Sequence, residues 1–530
     1  MAQRATQTAG YWRQLTVEVS DVECLFQVFL ESNEPQSTEN LAIQLIQHRC
    51  QEEEMVLRSE IQGGTLYQPQ GSYTVEEELV FPRFNYDAGP VVGQRASSNP
   101  RYGDFTVIQV EFGENGDVRE FVADFAHPHS LNLGEGEVFA DAEGTASPPE
   151  LYRQYQDSIA PKLVNELETN PDFVNLGDLW LLKDLLAPIH DGHLNIAEAV
   201  IDINEGPLSA DAILKDIELP ADMPASTQEF SLNAALTLNA RFDNVGPKGQ
   251  VRWYLRSLEP ADIEEIPLHV LVPELPFESV RFNDDLQPLL NEIDDEATDR
   301  ALLSPPSTKA ETVTIVLNYP HRRSGTLPIT PKTAPFFPEA DNHHVRITLL
   351  DQESGDRFPG WVTSQHNYVL GLSQWYDQNQ LTTGAYVSLH RTDDPMTVVV
   401  SCRPVRPKRE WIRGVVVQGS KIIFQNVRQV IACEYDDLMI VGEGSDQAAL
   451  DGVWISNQEN PKPLLALLQQ IAMELVKINP QGTVHAKTLY SAVNVVRRCP
   501  PAPIFHQLST HPCFVPMGHG YWTFDATRRD

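Results

Sequence analysis

Cations crowded into a short interval are the strongest chemical signal in this chain. Between residues 401 and 430, Arg403, Arg406, Lys408, Arg409, Arg413, Lys421 and Arg428 stand against one acid, Glu410. Trp411 and Phe424 are interleaved among them. Guanidinium and ammonium groups neutralise phosphates, and an exposed aromatic ring stacks on a base or sugar. That combination points to a nucleic-acid backbone surface. The same alternation also describes a strand with one solvated face and with Trp411 and Phe424 turned inward. The residue pattern allows both placements. Further along, Lys487, Arg497 and Arg498 add three cations to the candidate surface.

Groups suited to catalysis are sparse. His127-Pro-His129, His190-Asp-Gly-His193 and His343-His344 bring imidazoles together, but no cysteine or carboxylate follows at metal-site spacing. No metal site is therefore expected. The chain has no phosphate-binding GxxxxGK[ST] loop, no GxSxG elbow, no HExxH helix and no GxGxxG after a strand. Glu434-Tyr-Asp436-Asp437 is an acidic cluster after a strand, yet the lysine that a D…ExK nuclease pattern needs two residues on is missing. No catalytic residue and no cofactor is expected, and the chain reads as non-enzymatic. A divergent nuclease or hydrolase stays open as an alternative.

The net charge of −35 is unevenly spread. Residues 1–300 hold 54 Asp and Glu against 18 Lys and Arg, a balance of −36, whereas residues 301–530 hold 20 against 21. Uniform acidity would repel a polyanion. Here the neutral second part is left able to bind DNA, and the acidic residues 1–300 suit a protein partner, either transcription machinery or a basic protein. The six cysteines are scattered without a CxxC pair, as in a reduced protein. No apolar run is long enough to span a membrane, and residues 1–19 lack the apolar core of a secretory signal, so a cytoplasmic protein without membrane contact is expected.

A chain of 530 residues exceeds a single core, so an α+β multidomain fold is expected, with winged-helix modules combined with small β-barrels. Helical spacing with a polar turn between marks a helical hairpin over 17–60. Period-two segments broken by NYDAG, NPRYG and GENGD mark a small SH3-like β-barrel over 64–130, followed by an acidic linker at 134–150. Residues 151–260 read as a helical region that ends in a winged helix. An acidic, proline-ended boundary falls at 284–310. A β-rich barrel domain carrying the basic stretch occupies 311–445, and a C-terminal winged helix occupies 461–525.

That last segment contains TVHAKTLYSAV at 483–493, a proline-started helix PAPIFHQL at 501–508, and the ending CFVPMGHGYWTF at 513–524. In these features it resembles the HARE-type winged helix-turn-helix, the family that includes the delta subunit of bacterial RNA polymerase. A weaker second copy is read at 190–258, with Phe242 matching Phe514, Val245 matching Met517 and Trp253 matching Trp522. The resemblance implies a DNA-associated or transcription-associated adaptor. In the delta subunit the acidic region follows the winged helix, whereas here the acidity precedes it. The third helices, 230–240 and 502–510, carry no Lys or Arg. Backbone contact is therefore expected over base readout. A protein-interaction scaffold that docks through its winged helices is the alternative.

Overall fold

The computed structural model describes residues 4–528, except 62–63, 82–83, 85–86, 114–115, 128, 130, 133–145, 274–281, 304–309, 342, 420 and 443–445. The side chains of 57–61 and 421 also lie outside this description, as does most of the expected linker at 134–150. The chain divides into two compact units, Met1–His193 with Ile217–Ala235, and Leu194–Asp216 with Leu236–Asp530. Mixed helices and sheets give the α+β character that the composition implied.

In the first unit α1 (Ala9–Arg13), α2 (Val19–Ser32), α3 (Thr38–Ile61) and α4 (Pro148–Thr169) gather around one apolar core. Helix α2 starts on a reciprocal cap between Glu18 and Asp21 and stops at Asn33, which adopts the left-handed conformation (φ 53°) that asparagine tolerates. Asp21 is buried, and Arg49 of α3 holds it at 2.6 Å. Leu25 and Phe29 of α2 pack with Leu41 and Leu45 of α3 and with Ile159 and Leu163 of α4. Strand β1 (Gln36–Ser37) leads into α3 and pairs with β8 (Leu179–Leu182), which pairs with β7 (Phe173–Leu176).

Between α3 and α4 sits a five-stranded sheet in the order β2 (Thr65–Leu66), β3 (Glu78–Phe81), β4 (Asp87–Asn99), β5 (Gly103–Phe112) and β6 (Asp117–Ala123). The amides of Asp124 and Phe125 donate to the carbonyls of Gly71 and Pro69, which joins the two ends of the sheet. Tyr67, Phe81, Ile108 and Val110 fill the interior. The segments expected as a hairpin at 17–60 and as a helix after 151 therefore share one core, and the sheet is an insertion between them.

The second unit begins within α5 (Asp191–Asn204) and contains α6 (Ala210–Ile213), β9 (Phe242–Asn244) and β10 (Trp253–Leu255). Leu208 bridges to Trp253, and β10 pairs with β9. Helix α7 (Ala225–Thr237) belongs through Ala235 to the first unit, so the module expected at 190–258 is divided between the two.

Residues 311–445 form an open seven-stranded sheet in the order β11 (Thr312–Val316), β16 (Tyr386–Arg391), β17 (Thr397–Cys402), β13 (His344–Asp351), β14 (Arg357–Thr363), β15 (Tyr368–Leu370) and β12 (Thr326–Pro328). Its outer strands, β11 and β12, share no ladder among the described residues. The short helices α9 (Tyr319–Ser324) and α10 (Ser373–Gln378) lie in its connections. A long hairpin, β18 (Pro404–Gln418) and β19 (Lys421–Cys433), follows.

The C-terminal elements are α12 (Leu464–Ile478), β20 (Val484–His485), α13 (Ala486–Val496), α14 (Pro501–Thr510), β21 (Phe514–Gly518) and β22 (Tyr521–Phe524), with β20 an added strand between the first two helices. They pack with α8 (Leu286–Ile293) and α11 (Gln447–Glu459). Leu467, Leu468, Ile471 and Leu475 bury one face of α12, at roughly 1.5–3 kcal/mol each, which outweighs its intrinsic propensity. Strand β20 pairs with β22, and β22 with β21. This helix, short strand, two helices and hairpin repeat the wiring of α2–β1–α3–α4–β7–β8 in the first unit.

Every residue of α13 is buried, polar ones included. Each polar side chain therefore requires an internal partner. Thr488 donates to the Leu438 carbonyl at 2.7 Å and Ser491 to that of Met439 at 2.6 Å. Asn494 donates to the Cys499 carbonyl at 2.8 Å and accepts from its amide at 3.1 Å. Just beyond the helix, the fully buried Arg498 reaches Asp295 at 2.7 Å and Glu296 at 2.6 Å, and donates to Asn494 at 3.0 Å. Tyr490 donates to the other oxygen of Asp295 at 2.6 Å, and His321 of α9 faces Glu296 at 3.1 Å. Burial opposes the Glu296 charge, but Arg498 and His321 outweigh it and hold its carboxyl well below the usual range. Within the acidic stretch at 284–310, Asp294 and Asp295 are interior residues, whereas Asp284, Asp285, Glu292 and Asp299 are exposed.

Replacing Arg498 by Met leaves two buried carboxylates short of their cation, a loss of about 3–5 kcal/mol. Urea unfolding followed by tryptophan emission is expected to show the second unit's transition at lower denaturant. An unchanged midpoint would contradict this role. Because the folded Glu296 pKa is depressed, its contribution is present above the unfolded value of about 4.3 and drains away below it. The wild-type midpoint is therefore expected to fall between pH 5 and pH 3, and less so in Glu296→Gln.

Candidate nucleic-acid interface

The hairpin carrying the basic stretch exists because two strands rich in Val and Ile meet at a tight turn, where Gly419 adopts a positive φ of 62°. Its register pairs Arg409 with Val430, Trp411 with Arg428, Ile412 with Val427 and Val415 with Phe424. Side chains alternate across a strand, so Arg409, Trp411, Arg413, Asn426, Arg428 and Val430 share a face. On the opposite face Ile412, Val427, Ile431 and Cys433 pack into the core of the seven-stranded sheet. Near the turn Val415, Ile422 and Phe424 are buried in the core around α12 and α13.

The hairpin is thus anchored on both sides, yet its Arg409–Trp411–Arg428 face remains in solvent. Trp411 is 70% exposed, whereas Phe424 is 2% exposed. The two aromatics that the residue pattern left equivalent have opposite placements. Phe424 is core, and only Trp411 is presented outward.

The expected cations divide in the same way. Arg406, Lys408, Arg409 and Arg428 are exposed, with no ion pair among the described residues. Arg403 is exposed but meets Glu434 at 3.2 Å. Arg413 is half-buried and donates to the Asp437 carbonyl, and desolvation lowers its pKa. The side chain of Lys421 lies outside the described residues.

Lys487, Arg497 and Arg498 correct the sequence expectation, because all three are buried and none can meet a phosphate. Lys487 is held by Asp436 and, at 2.6 Å, by Glu292. Burial works against its charge, but the two carboxylates outweigh it and raise its pKa. Arg497 donates to the Lys462 carbonyl at 2.8 Å, and burial lowers its pKa. Arg498 belongs to the core network described above. Local spacing showed three cations at the two ends of one helix, Lys487 at its start and Arg497 and Arg498 just past its end. The carboxylates that claim Lys487 and Arg498 lie far away in the chain.

The helical elements offer little to a groove. Pro501–Phe505 of α14 are buried, His506 and Gln507 are half-buried, and only Ser509 and Thr510 are exposed. The tip between β9 and β10 turns inward onto its own unit: the Lys248 amide donates to the Glu339 carbonyl at 2.8 Å and the Gly249 amide to Asp341 at 2.8 Å.

Among the histidine pairs, His127 contacts the Tyr102 carbonyl at 3.0 Å, and the rings of His190 and His193 stack 3.7 Å apart. His344 is different. It is buried, and with Asp243 and Glu259 it brings three potential ligand atoms within 4.8 Å of one another. The carboxylates missing from its sequence neighbourhood arrive from the segment around β9 and β10.

Comparison of the chain with protein-family models, curated proteins and solved structures finds no match.

Lysine reactivity checks this partition directly. Brief acetylation of the native protein is expected to modify Lys408 readily and to spare Lys487 until urea unfolds the second unit. Equal labelling of the two in the folded protein would contradict the assignment.

Proposed function

We propose that this chain is a non-enzymatic nucleic-acid-associated protein that contacts the sugar–phosphate backbone through the outward face of β18 and β19. The observation that carries this reading is Trp411, 70% exposed and paired across the ladder with Arg428. A tryptophan left in water gains nothing from burial, but it offers a π-face to a base, worth about 1–3 kcal/mol. Arg409 and Arg428 supply charges on that face, and Arg406 and Lys408, exposed at the open end of the hairpin with Lys408 on the Ile431 side, add two more for phosphates passing that edge. DNA is the partner proposed. We read 464–524 as a winged helix-turn-helix that serves as the structural body beside this hairpin, since its third helix buries its N-terminal half. A transcription-associated role rests on the family resemblance of that segment.

A second reading, a protein-docking scaffold, is favoured by the charge partition. The first 300 residues carry a balance of −36 and suit a basic protein surface. The two readings are compatible, because they use different stretches of the chain.

With four phosphate contacts, the logarithm of affinity for DNA is expected to fall against log salt with a slope of about −3 to −4. Fluorescence anisotropy with labelled single-stranded and duplex oligonucleotides between 50 and 200 mM salt measures it. Changing Arg406, Lys408, Arg409 and Arg428 to Gln is expected to abolish binding. Trp411→Ala is expected to weaken single-stranded DNA about tenfold. Wild-type binding that ignores salt, or a quadruple variant that binds normally, would refute the assignment.

A further inference from the structure

Asp243 of β9, Glu259 and His344 at the start of β13 converge, with both carboxylates in ion-pair reach of the imidazole. His344 Nε2 stands 3.4 Å from Asp243 Oδ2 and 3.5 Å from Glu259 Oε1. Neither His344 Nε2 nor Glu259 Oε1 makes a hydrogen bond, although both atoms are buried. The Glu259 side chain is only 4% exposed. The buried carboxylate oxygen of Glu259 and the buried imidazole nitrogen of His344 therefore face each other at 3.5 Å, too far apart for a good hydrogen bond and with no closer partner for either.

The separations have a specific meaning. Ligand atoms on a tetrahedral zinc ion, at roughly 2.0–2.2 Å from the metal, lie about 3.3–3.6 Å apart. The two contacts of His344 fall in that interval. All three ligand atoms lie within 4.8 Å of one another. One imidazole and two carboxylates form a donor set that zinc accepts, and their charge balances a divalent ion. Arg256 approaches Asp243 at 3.6 Å, but it is half exposed and shared with Glu264, so it is free to turn to solvent. Trp361 lies edge-on to the His344 ring at 5.8 Å between centroids, which limits its rotation. Asp243, with 20% of its side chain exposed, is the most open of the three ligands.

We infer that Asp243, Glu259 and His344 form a zinc-binding site, three-coordinate from protein with the remaining position for water. The ion would fasten the segment around β9 and Glu259 to the start of β13, joining parts of the second unit that are distant in sequence. The site is separate from the exposed face of β18 and β19, so failure of either assignment leaves the other intact.

Isothermal titration of the chelator-treated full chain with zinc chloride tests this, with magnesium chloride as the control ion. One equivalent of zinc is expected to bind tightly and to raise the thermal midpoint, with no response to magnesium. Glu259→Gln and His344→Ala are expected to weaken that equivalent by at least about tenfold. Surface histidines and cysteines could take up zinc elsewhere, and buried variants could misfold, so cobalt(II) loading of the wild-type chain provides a readout without mutation. The expected spectrum has the visible bands of a tetrahedral nitrogen and oxygen site and lacks thiolate charge transfer. Absence of a stoichiometric site, thiolate bands, or undiminished binding by folded Glu259→Gln and His344→Ala would each overturn the inference.

Discussion

The second unit depends on one guanidinium. Arg498 has no exposed surface and neutralises two carboxylates, Asp295 and Glu296, that would otherwise sit charged in the interior. Through Tyr490 and Asn494 the same cluster fixes α13, and through His321 it reaches α9 beside the sheet. A buried ion pair of this kind adds little net stability compared with apolar residues of similar volume. Its consequence is specificity, because any packing that separates these groups leaves a bare charge in a dry core. That constraint explains why a helix with a lysine, three hydroxyls and an amide can be buried on every side.

The hairpin β18–β19 shows what such anchoring permits. Its inward faces contribute to two cores, one with the sheet and one with α12 and α13. The Arg409–Trp411–Arg428 part of the second face can stay solvated because Val415, Ile422 and Phe424, nearer the turn on that same face, already anchor it. A rigid strand pair holding cations and a flat ring suits backbone recognition better than a flexible basic tail, since less side-chain and backbone freedom is lost on binding. The cations near α13 instead serve folding.

Much of the local structure was legible in the residues. Apolar periodicity and the Gly and Pro breaks located α2, α3, α12, α13 and α14, and period-two segments located most strands. What escaped was long-range. The repeated helix–strand–helix–helix–hairpin wiring of the first unit is interrupted by a five-stranded sheet, which breaks its pattern between α3 and α4. Asp295 and Glu296 read as part of an acidic, proline-ended boundary, because nothing near them announces Arg498. Lys487 and Arg498 look like surface cations for the same reason. Trp411 and Phe424 occupy equivalent places in an alternating pattern, and only the second core beneath the turn separates them. His344 lacks acidic neighbours in sequence, and Asp243 and Glu259 reach it only through the fold.

The central claim is that the solvent face of β18–β19 is where nucleic acid lies. Photocrosslinking to iodouracil-substituted single-stranded DNA, with the adduct located by mass spectrometry, tests it most directly. The account predicts adducts on Trp411 or its immediate neighbours, lost when salt is raised. Adducts confined to α14 or the β21–β22 tip, or none under conditions where DNA is bound, would contradict it.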